Sequence, residues 1–302
     1  MSPLLSHNSY GQSDVRLLKV SRRSTRHEVA DVTVGVRLEG DYDRAHTAGD
    51  NRAVLPAQAV RDAVYAMARR RAVRQIEEFG VRLAEHFLGG DAGSAVSRVR
   101  VELAERAWER VGVGGRPHDT TFRGSGGHRR LAVITATGEG ADVESGVEHL
   151  VLLKTAGAAY QGFARDAYTT LRDAPDRVLA AVVSARWRYV NPDASYGLLY
   201  EKVVRTLLES FAEHESRSVQ HTLYTMGEAV LEYSPEVAEV RLAAAGGIAP
   251  LADPTTPDID APNELFLPTD APHDLTEATV RREGMAGELR LLKRGEGRRG
   301  SE

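Results

Sequence analysis

The chain contains no cysteine among its 302 residues, which excludes disulfides, thiolate metal sites, iron–sulfur clusters and a cysteine nucleophile. It has no apolar run near the roughly 18 residues that a membrane-spanning helix requires. The N-terminal stretch 1–14 lacks both the basic region and the apolar core of a signal peptide. The chain ends in Arg-Gly-Ser-Glu rather than in the peroxisomal Ser-Lys-Leu signal. These absences predict a cytoplasmic protein with no membrane partner.

The charges show no strong excess of either sign. The formal net charge is −4, charged residues make up 27% of the chain, and apolar residues make up 42%. A chain of this composition can bury an ordinary core, and it has no basic surplus that would attract nucleic acid or an anionic membrane. Its length suits one large domain or two of about 150 residues.

Nucleotide and metal signatures are also missing. No GxxxxGK(S/T) loop occurs and no GxGxxG motif opens a helix, although the stretch 111–130 is rich in glycine and arginine. We therefore interpret 111–130 as a flexible hairpin connection rather than as a phosphate-binding loop. The ten histidines form neither an HxH nor an HExxH pair, so the sequence predicts no metal site.

Hydrophobic periodicity predicts nearly the same order of elements twice, strand-strand-helix-helix-strand-strand. In the first half, strands are predicted at 14–20 and 28–39, helices around 60–68 and 76–87, and strands at 99–103 and 131–135. In the second half, strands are predicted at 147–154 and 178–189, helices at 195–214 and 219–231, and a strand at 237–242. Antiparallel hairpins with helices collected on one face indicate an α+β fold rather than a doubly wound parallel sheet.

The stretch 138–146, rich in glycine and acidic residues, is the best candidate for an internal boundary. We therefore predict a first domain at 9–142 and a second at 143–283. The remaining residues, 284–302, end in a charged, glycine-rich run and are predicted to form a disordered tail.

The most distinctive stretch is Leu152 to Arg177, LLKTAGAAYQGFARDAYTTLRDAPDR. It resembles the urate oxidase (uricase) family, in which a strand ending in Leu-Lys precedes aromatic-x-Gly-Phe-x-Arg-Asp-x-Tyr-Thr-Thr-Leu and then Asp-Arg. The resemblance implies two tandem tunnelling-fold (T-fold) domains whose sheets close into a barrel when subunits associate. It further implies a homotetramer with its sites at subunit interfaces.

The resemblance also implies a clamp for a flat, amide-rich heterocycle such as a purine. A guanidinium offers a planar fork of donors, a glutamine amide complements a lactam edge, and an aromatic ring supplies a stacking face. The matching residues are Arg177, Gln220 and Tyr160, where the family usually has phenylalanine, and the backbone N–H of Val219 adds a contact. Asn263 matches the asparagine that helps hold dioxygen or water over the ring.

Each of these residues, taken alone, also fits an ordinary structural role. Arg177 follows Asp176 and suits a surface ion pair, and Gln220 suits a solvated or capping position at a helix start. Tyr160 suits a core aromatic, and Asn263 after a proline suits a turn. Their joint occurrence at family-matched positions favours the clamp.

The proton relay of the family, in contrast, is not matched. The family has a lysine after the Tyr-Gly that opens the first strand, and this chain has Gln12. It has a Thr-Asp pair, supplied by the neighbouring subunit, before the first helix, where this chain has Ala57 and Gln58. It has a histidine two residues after the asparagine, where this chain has Leu265. Gln12 cannot take a proton at neutral pH, Ala57 cannot pass one on, and Leu265 can do neither, so the resemblance implies that the relay is missing.

Four other residues are candidates to replace the relay. Lys19 and Lys154 lie in predicted strands, and His118 and His221 are the histidines whose reach into the site needs checking. A solvated or structural role is the alternative for both lysines.

Three functions therefore remain open at this point. The first, which we favour, is a uricase-like enzyme that transforms a purine or related heterocycle by altered, oxidative chemistry without metal or organic cofactor, with dioxygen left open as co-substrate. The second is an inactive homologue that binds a purine. The third is an active uricase whose relay is rebuilt from other residues.

Overall fold

The fold is built on one antiparallel sheet whose eight strands lie side by side in chain order. The structure is a computed structural model that describes residues 3–22, 24–90, 95–191, 194–246 and 274–284. The strands are β1 (Tyr10–Ser21), β2 (Glu28–Gly40), β3 (Val96–Val113), β4 (Arg116–Thr137), β5 (Gly140–Lys154), β6 (Leu179–Tyr189), β7 (Val237–Ala245) and β8 (Leu275–Arg281). The helices are α1 (Asp43–Ala48), α2 (Ala57–Arg70), α3 (Ile76–Gly89), α4 (Tyr196–Glu213) and α5 (Val219–Tyr233).

The strands form because apolar side chains recur at every second position and bury one face of the sheet. In β6 this alternation is complete, from Leu179 through Trp187 to Tyr189, with each intervening residue half-buried. The helices cover the buried face with apolar stripes of their own, such as Val60 and Val64 of α2. The predicted α+β class, with antiparallel strands and helices on one face, is therefore confirmed. No helix in the described ranges is long and apolar enough to cross a membrane.

The glycine- and arginine-rich stretch 111–130 is more ordered than predicted. It belongs to β3 and β4, which pair as far as the turn at Gly114 and Gly115, where φ is 57° and 77°. Two successive positive φ values suit the tight hairpin turns that glycine favours. The Arg110 guanidinium lies 4.8 Å from the ring of Phe122 and donates to backbone carbonyls across the hairpin. The predicted hairpin connection is therefore confirmed, and its residues extend the two strands because backbone pairing does not need an apolar pattern.

Two elements were not predicted from the sequence. The helix α1 has only six residues and buries none of them, so it has no apolar period to detect. The strand β8 alternates between half-buried and exposed residues, a weak signal. Within the stretch 138–146 only the first two residues form a turn, since β5 begins at Gly140. The sheet continues through β4 and β5, so the domain limits stay a prediction, and 285–302 of the predicted tail lie outside the described residues.

A buried polar cluster joins the two halves of the sheet. The Glu77 carboxylate of α3 has no exposed surface and accepts hydrogen bonds from Arg130 of β4, at 2.7 Å, and from the Ser145 hydroxyl of β5, at 2.5 Å. The Tyr189 hydroxyl of β6 donates to Ser145 at 2.6 Å, and the Trp187 indole donates to Tyr189 at 3.2 Å. A buried charge is tolerated only when it is paired and hydrogen-bonded, so this cluster holds α3, β4, β5 and β6 in register.

Two lysines at matching places in the two halves cap two helices. The Lys19 ammonium of β1 donates to the carbonyls of Ala68 and Arg71 at the end of α2. The Lys154 ammonium of β5 donates to the carbonyls of Phe211 and His214 at the end of α4. A cation at this position satisfies carbonyls that have no partner within the helix and also lies at the negative end of the helix dipole.

Replacing either capping lysine should therefore lower stability. Hydrogen bonds to charged groups contribute about 1.5–3 kcal/mol when buried, so Lys19→Met and Lys154→Met should each lower the free energy of unfolding by about 1–2 kcal/mol at these partly exposed sites. Urea denaturation measures the change. Lys202→Met is the matched control, because within the described ranges that ammonium makes only a 4.0 Å contact with Glu236; it should change stability by less than about 0.5 kcal/mol. Equal losses in all three variants would contradict the capping role.

Candidate functional site

The loop between β5 and β6 is tied by backbone hydrogen bonds to the segment that precedes α5. The N–H of Ala159 donates to the Ser216 carbonyl at 2.7 Å, and the N–H of Ser216 donates to the Gly157 carbonyl at 2.9 Å. These bonds form a short parallel bridge between Ala158 and Ser216. The bridge brings the loop that carries Tyr160 beside the segment that leads into α5.

Asp176 fixes the far end of the same loop. One oxygen of its carboxylate accepts the N–H of Ala158 and the N–H of Arg177, each at 3.0 Å. Tyr160 and Ala174 exchange backbone hydrogen bonds of 2.8 and 3.0 Å, so the loop closes on itself. The Asp176 carboxylate thus binds backbone N–H groups, and the Arg177 guanidinium lies over Tyr160 instead. This arrangement differs from the surface ion pair that was the structural alternative for Arg177.

The Arg177 guanidinium lies over the ring of Tyr160, 4.9 Å from its centroid. On the same ring, Phe163 stacks with a centroid distance of 4.9 Å and an interplanar angle of 13°. The Arg165 guanidinium in turn lies 4.6 Å from the centroid of Phe163. Guanidinium groups and aromatic rings attract one another in this way because the ring face is electron-rich. A ligand that stacks on Tyr160 would have to take the place of Phe163 or Arg177.

Arg177 keeps hydrogen-bonding capacity unused. Its side chain is half-buried, and its Nε is buried without a hydrogen-bond partner in the part of the chain that the structure describes. Burial lowers the pKa of the Arg177 guanidinium, and the electrostatic effects of Tyr160 and Asp274 oppose that shift. Buried donors in proteins are normally paired, so an unpaired one at this position indicates a place for a ligand acceptor.

The start of α5 presents Val219 and Gln220 beside this loop. Ser218 is the N-cap, and its side chain accepts the N–H of His221 at 3.1 Å. The Thr222 hydroxyl donates to Ser216 Oγ at 2.7 Å, which locks the cap onto the bridge. Val219 is half-buried and Gln220 is exposed, and a first-turn N–H has no intrahelical partner. Since Ser218 caps the helix, Gln220 is not needed for that role.

The relay positions in the first half form a separate group. Gln12 is half-buried on β1, where its side chain donates to the next residue's carbonyl at 3.1 Å. Ala57 and Gln58 are exposed in the first turn of α2. The Tyr10 hydroxyl accepts the N–H of Leu55 at 2.9 Å, which connects the start of β1 to the segment before α2.

The relay positions and the clamp residues lie far apart within one chain. Gln12 is on β1 and Arg177 precedes β6, and five strand spacings of about 4.8 Å put them roughly 24 Å apart along the sheet. No hydrogen bond or ion pair joins the groups within the described ranges. The structure therefore brings together Tyr160, Arg177, Val219 and Gln220 but not Gln12, Ala57 or Gln58. Asn263 and Leu265 lie outside the described residues.

The four residues that were candidates to replace the proton relay make contacts outside the relay positions. The ammonium groups of Lys19 and Lys154 are occupied by helix carbonyls, as described above. The His118 imidazole lies in the β3–β4 hairpin, where Nδ1 accepts the N–H of Thr120 at 3.2 Å. His221 follows Gln220 in α5, and its ring meets that of His214 edge-on at 4.6 Å. Of the four, only His221 adjoins the clamp.

The comparisons with known proteins identify the family. The family model described as Uricase matches residues 8–135 and 143–246. The chain belongs to the uricase family. It is 39% identical to the uricase of Arthrobacter globiformis over 281 residues, covering 93% of this chain and 91% of that protein. It is 31% identical to the uricase of Dictyostelium discoideum, covering 92% and 97% respectively.

The structural comparison agrees with the sequence comparison. The crystal structure of the Arthrobacter globiformis uricase matches this uricase-family chain with a TM-score of 0.88 and 38% identity. The match covers 94% of this chain and 96% of that one. The expected tandem T-fold architecture is therefore confirmed, with the order β-β-α-α-β-β in the second half and the short extra helix α1 in the first.

Sequence reasoning missed several residues that build the candidate site. Asp176 was considered only as an ion-pair partner of Arg177, yet its carboxylate accepts two backbone N–H groups of the loop. Ser216 and Thr222 were not considered, and Phe163 was noted only as part of the motif. The Ser-Arg-Ser run ahead of a helix is a recognisable N-cap signal. Asp274 had no sequence signal, since it lies 97 positions beyond Arg177 in the chain.

Proposed function

We propose that this uricase-family protein binds an oxopurine-type heterocycle at Tyr160, Arg177, Val219 and Gln220, and transforms it by chemistry other than ordinary urate oxidation. The observation that carries the proposal is the half-buried Arg177 guanidinium, whose Nε has no hydrogen-bond partner among the described residues and which lies on the loop bridged to the start of α5. A guanidinium fork, together with first-turn N–H groups that have no partner within the helix, suits the carbonyl edge of a flat lactam.

The clamp is supported by the way its parts are fixed. Asp176 orients the backbone on both sides of Arg177, and the bridge to Ser216 fixes the loop against α5. Groups that are already positioned lose little conformational entropy when a ligand binds. Gln220 is exposed and can turn its amide toward a second lactam edge. A purine that stacks on Tyr160 would take the place that Phe163 holds on that ring.

The altered chemistry is supported by the residues at the relay positions. A general base needs a group that exchanges a proton near neutral pH, and neither Gln12 nor Ala57 offers one. The lysines that could replace the base are engaged as helix caps, so a relay rebuilt from Lys19 or Lys154 is disfavoured. Binding of a purine without turnover is the second candidate, because it requires only the clamp.

The distance between the two groups supports a site that is completed by a second copy of the chain. With roughly 24 Å between Gln12 and Arg177 along the sheet, the relay positions of one subunit would meet the clamp of another. The strands β1 and β8 are the two open edges of the sheet and need partners. We expect a homotetramer, and light scattering at micromolar concentration should give four times the chain mass of 32.9 kDa. A monomer would contradict the shared site.

Arg177→Ala should weaken purine binding at least about tenfold, because the lost charge-assisted hydrogen bonds contribute roughly 1.5–3 kcal/mol. Titration calorimetry with a panel of purines, including xanthine and urate, measures the change, and circular dichroism checks the fold. Arg172→Ala is the matched control, since Arg172 is an exposed arginine of the same loop. Unchanged affinity in Arg177→Ala would show that the ligand binds elsewhere.

Urate oxidation by the unmodified protein should be near background, because a positioned base contributes roughly 10²–10⁴-fold to the rate. Gln12→Lys and Ala57→Thr should each do little alone, while the double variant should exceed both, since groups that act as one unit are not additive. Loss of urate absorbance under air measures the rate. Rapid oxidation by the unmodified protein would refute the altered chemistry and leave the clamp proposal standing.

A further inference from the structure

The β3–β4 hairpin is bound to the turn between β1 and β2. The N–H of His27, just before β2, donates to the Asp119 carbonyl at 3.0 Å. The Arg110 guanidinium donates to the carbonyl of His27, and also to those of His118, at 3.1 Å, and Asp119, at 2.8 Å. Arg110 therefore joins the two segments and fixes the hairpin beside the turn.

A cleft of about 690 Å³ lies between the turn and the hairpin. Sites for small molecules have volumes of roughly 300–1,000 Å³, so the cleft is large enough for a ligand. Its lining combines two guanidinium groups with the carboxylate of Asp119, which leaves it with a net positive charge that attracts anions. The lining side chains that can donate hydrogen bonds are Thr25, Arg26, Arg116, His118 and Thr120.

The two arginines of the cleft have donors to spare. Arg26 and Arg116 are exposed, and their guanidinium groups make no hydrogen bond or ion pair in the part of the chain that the structure describes. Arg123 of the same hairpin, in contrast, pairs with Glu109 at 2.7 Å. The charges of Arg26 and Arg116 are therefore not neutralised by neighbouring acids, although they line the same cleft.

The His118 imidazole adds a donor whose tautomer is fixed by the hairpin. Its Nδ1 accepts the N–H of Thr120 at 3.2 Å, so in the neutral ring the proton lies on Nε2. The Nε2–H is then a donor for a ligand in the cleft. The same contact holds the ring to the hairpin backbone, which limits its freedom to turn away.

We propose that this cleft binds a phosphate group, carried by inorganic phosphate or by a phosphate monoester. A tetrahedral dianion presents acceptor oxygens in several directions, which suits two guanidinium forks together with an imidazole N–H and two hydroxyls. Arginine also binds phosphate by paired, parallel hydrogen bonds. The site is separate from the purine clamp, because its residues belong to the first half of the chain. It uses side chains, unlike the backbone cradle of the glycine-rich loops that the sequence lacks.

Phosphorus NMR tests the proposal on the full chain, with inorganic phosphate and phenyl phosphate as probes that contain no purine ring. The measurement is made at an ionic strength of about 0.01 M, where exposed charges are little screened. Both resonances should broaden on addition of the protein. The variant that combines Arg26→Gln with Arg116→Gln should weaken binding at least about tenfold, since two charge-assisted contacts are lost.

The matched control combines Arg172→Gln with Arg217→Gln, which removes the same charge from two exposed arginines of the second half. It should change the affinity by less than about twofold, because only the net charge of the protein differs. Asp119→Asn gives a second readout, of opposite sign. It should tighten binding at least about twofold, since a carboxylate in the lining repels a dianion.

The relative affinity of the two probes identifies the source of the phosphate group. Tighter binding of phenyl phosphate assigns the cleft to a monoester, and tighter binding of inorganic phosphate assigns it to the free ion. The proposal is overturned if neither resonance broadens, or if the control variant loses as much affinity as the cleft variant. It is also overturned if Arg177→Ala, rather than the cleft variant, abolishes binding, because the anion would then lie at the clamp.

Discussion

The Glu77 carboxylate, which has no exposed surface, lies where the two halves of the sheet meet. Burying a carboxylate without partners costs several kcal/mol, so α3 can occupy this position only while Arg130 and Ser145 are held against it. Arg130 also lies 4.7 Å from the ring centroid of Tyr200 in α4, and burial raises the pKa of Tyr200 to about 12. The Glu77–Arg130 ion pair therefore constrains β4, β5 and α4 together, across the junction between the two halves of the sheet.

That constraint reaches the clamp through β5 and β6. Ser145 and Trp187 pair in the ladder between these strands, so the Glu77 cluster sets their register. The loop that carries Tyr160 leaves the end of β5 and returns to the start of β6 just after Arg177. The cluster is thus at one end of the strand pair and the clamp at the other. A shift of register by one residue would move every side chain to the opposite face, and the clamp with it.

The chain has the fold of the uricase family and carries Gln12 and Ala57 at the positions where the family resemblance implies the proton relay. The two lysines that could take over the relay instead cap α2 and α4, where their charge is used for stability. The elements that hold the clamp depend on backbone pairing and buried polar contacts, and they do not involve Gln12 or Ala57.

The sequence by itself determined the α+β class, the repeated order of elements and the family. Period-2 alternation in β6 and the apolar stripes of α2 to α5 follow from burial of one face, which is a local property of the chain. The motif from Leu152 to Arg177 indicated the uricase family and identified Arg177 and Tyr160 as candidate site residues. Strands without such a pattern, β8 and the outer part of β3 and β4, were missed because backbone pairing partners are not visible in local sequence.

Only the tertiary structure decided which of these residues meet. Asp176 looked like an ion-pair partner of Arg177, yet its carboxylate holds backbone N–H groups at both ends of a loop. Lys19 and Lys154 were candidates to serve the site, yet both ammonium groups are taken up by helix carbonyls. Asp274 affects the pKa of Arg177 although it lies 97 positions further along the chain. Contacts between residues distant in the chain depend on strand order and register, which no single stretch of sequence encodes.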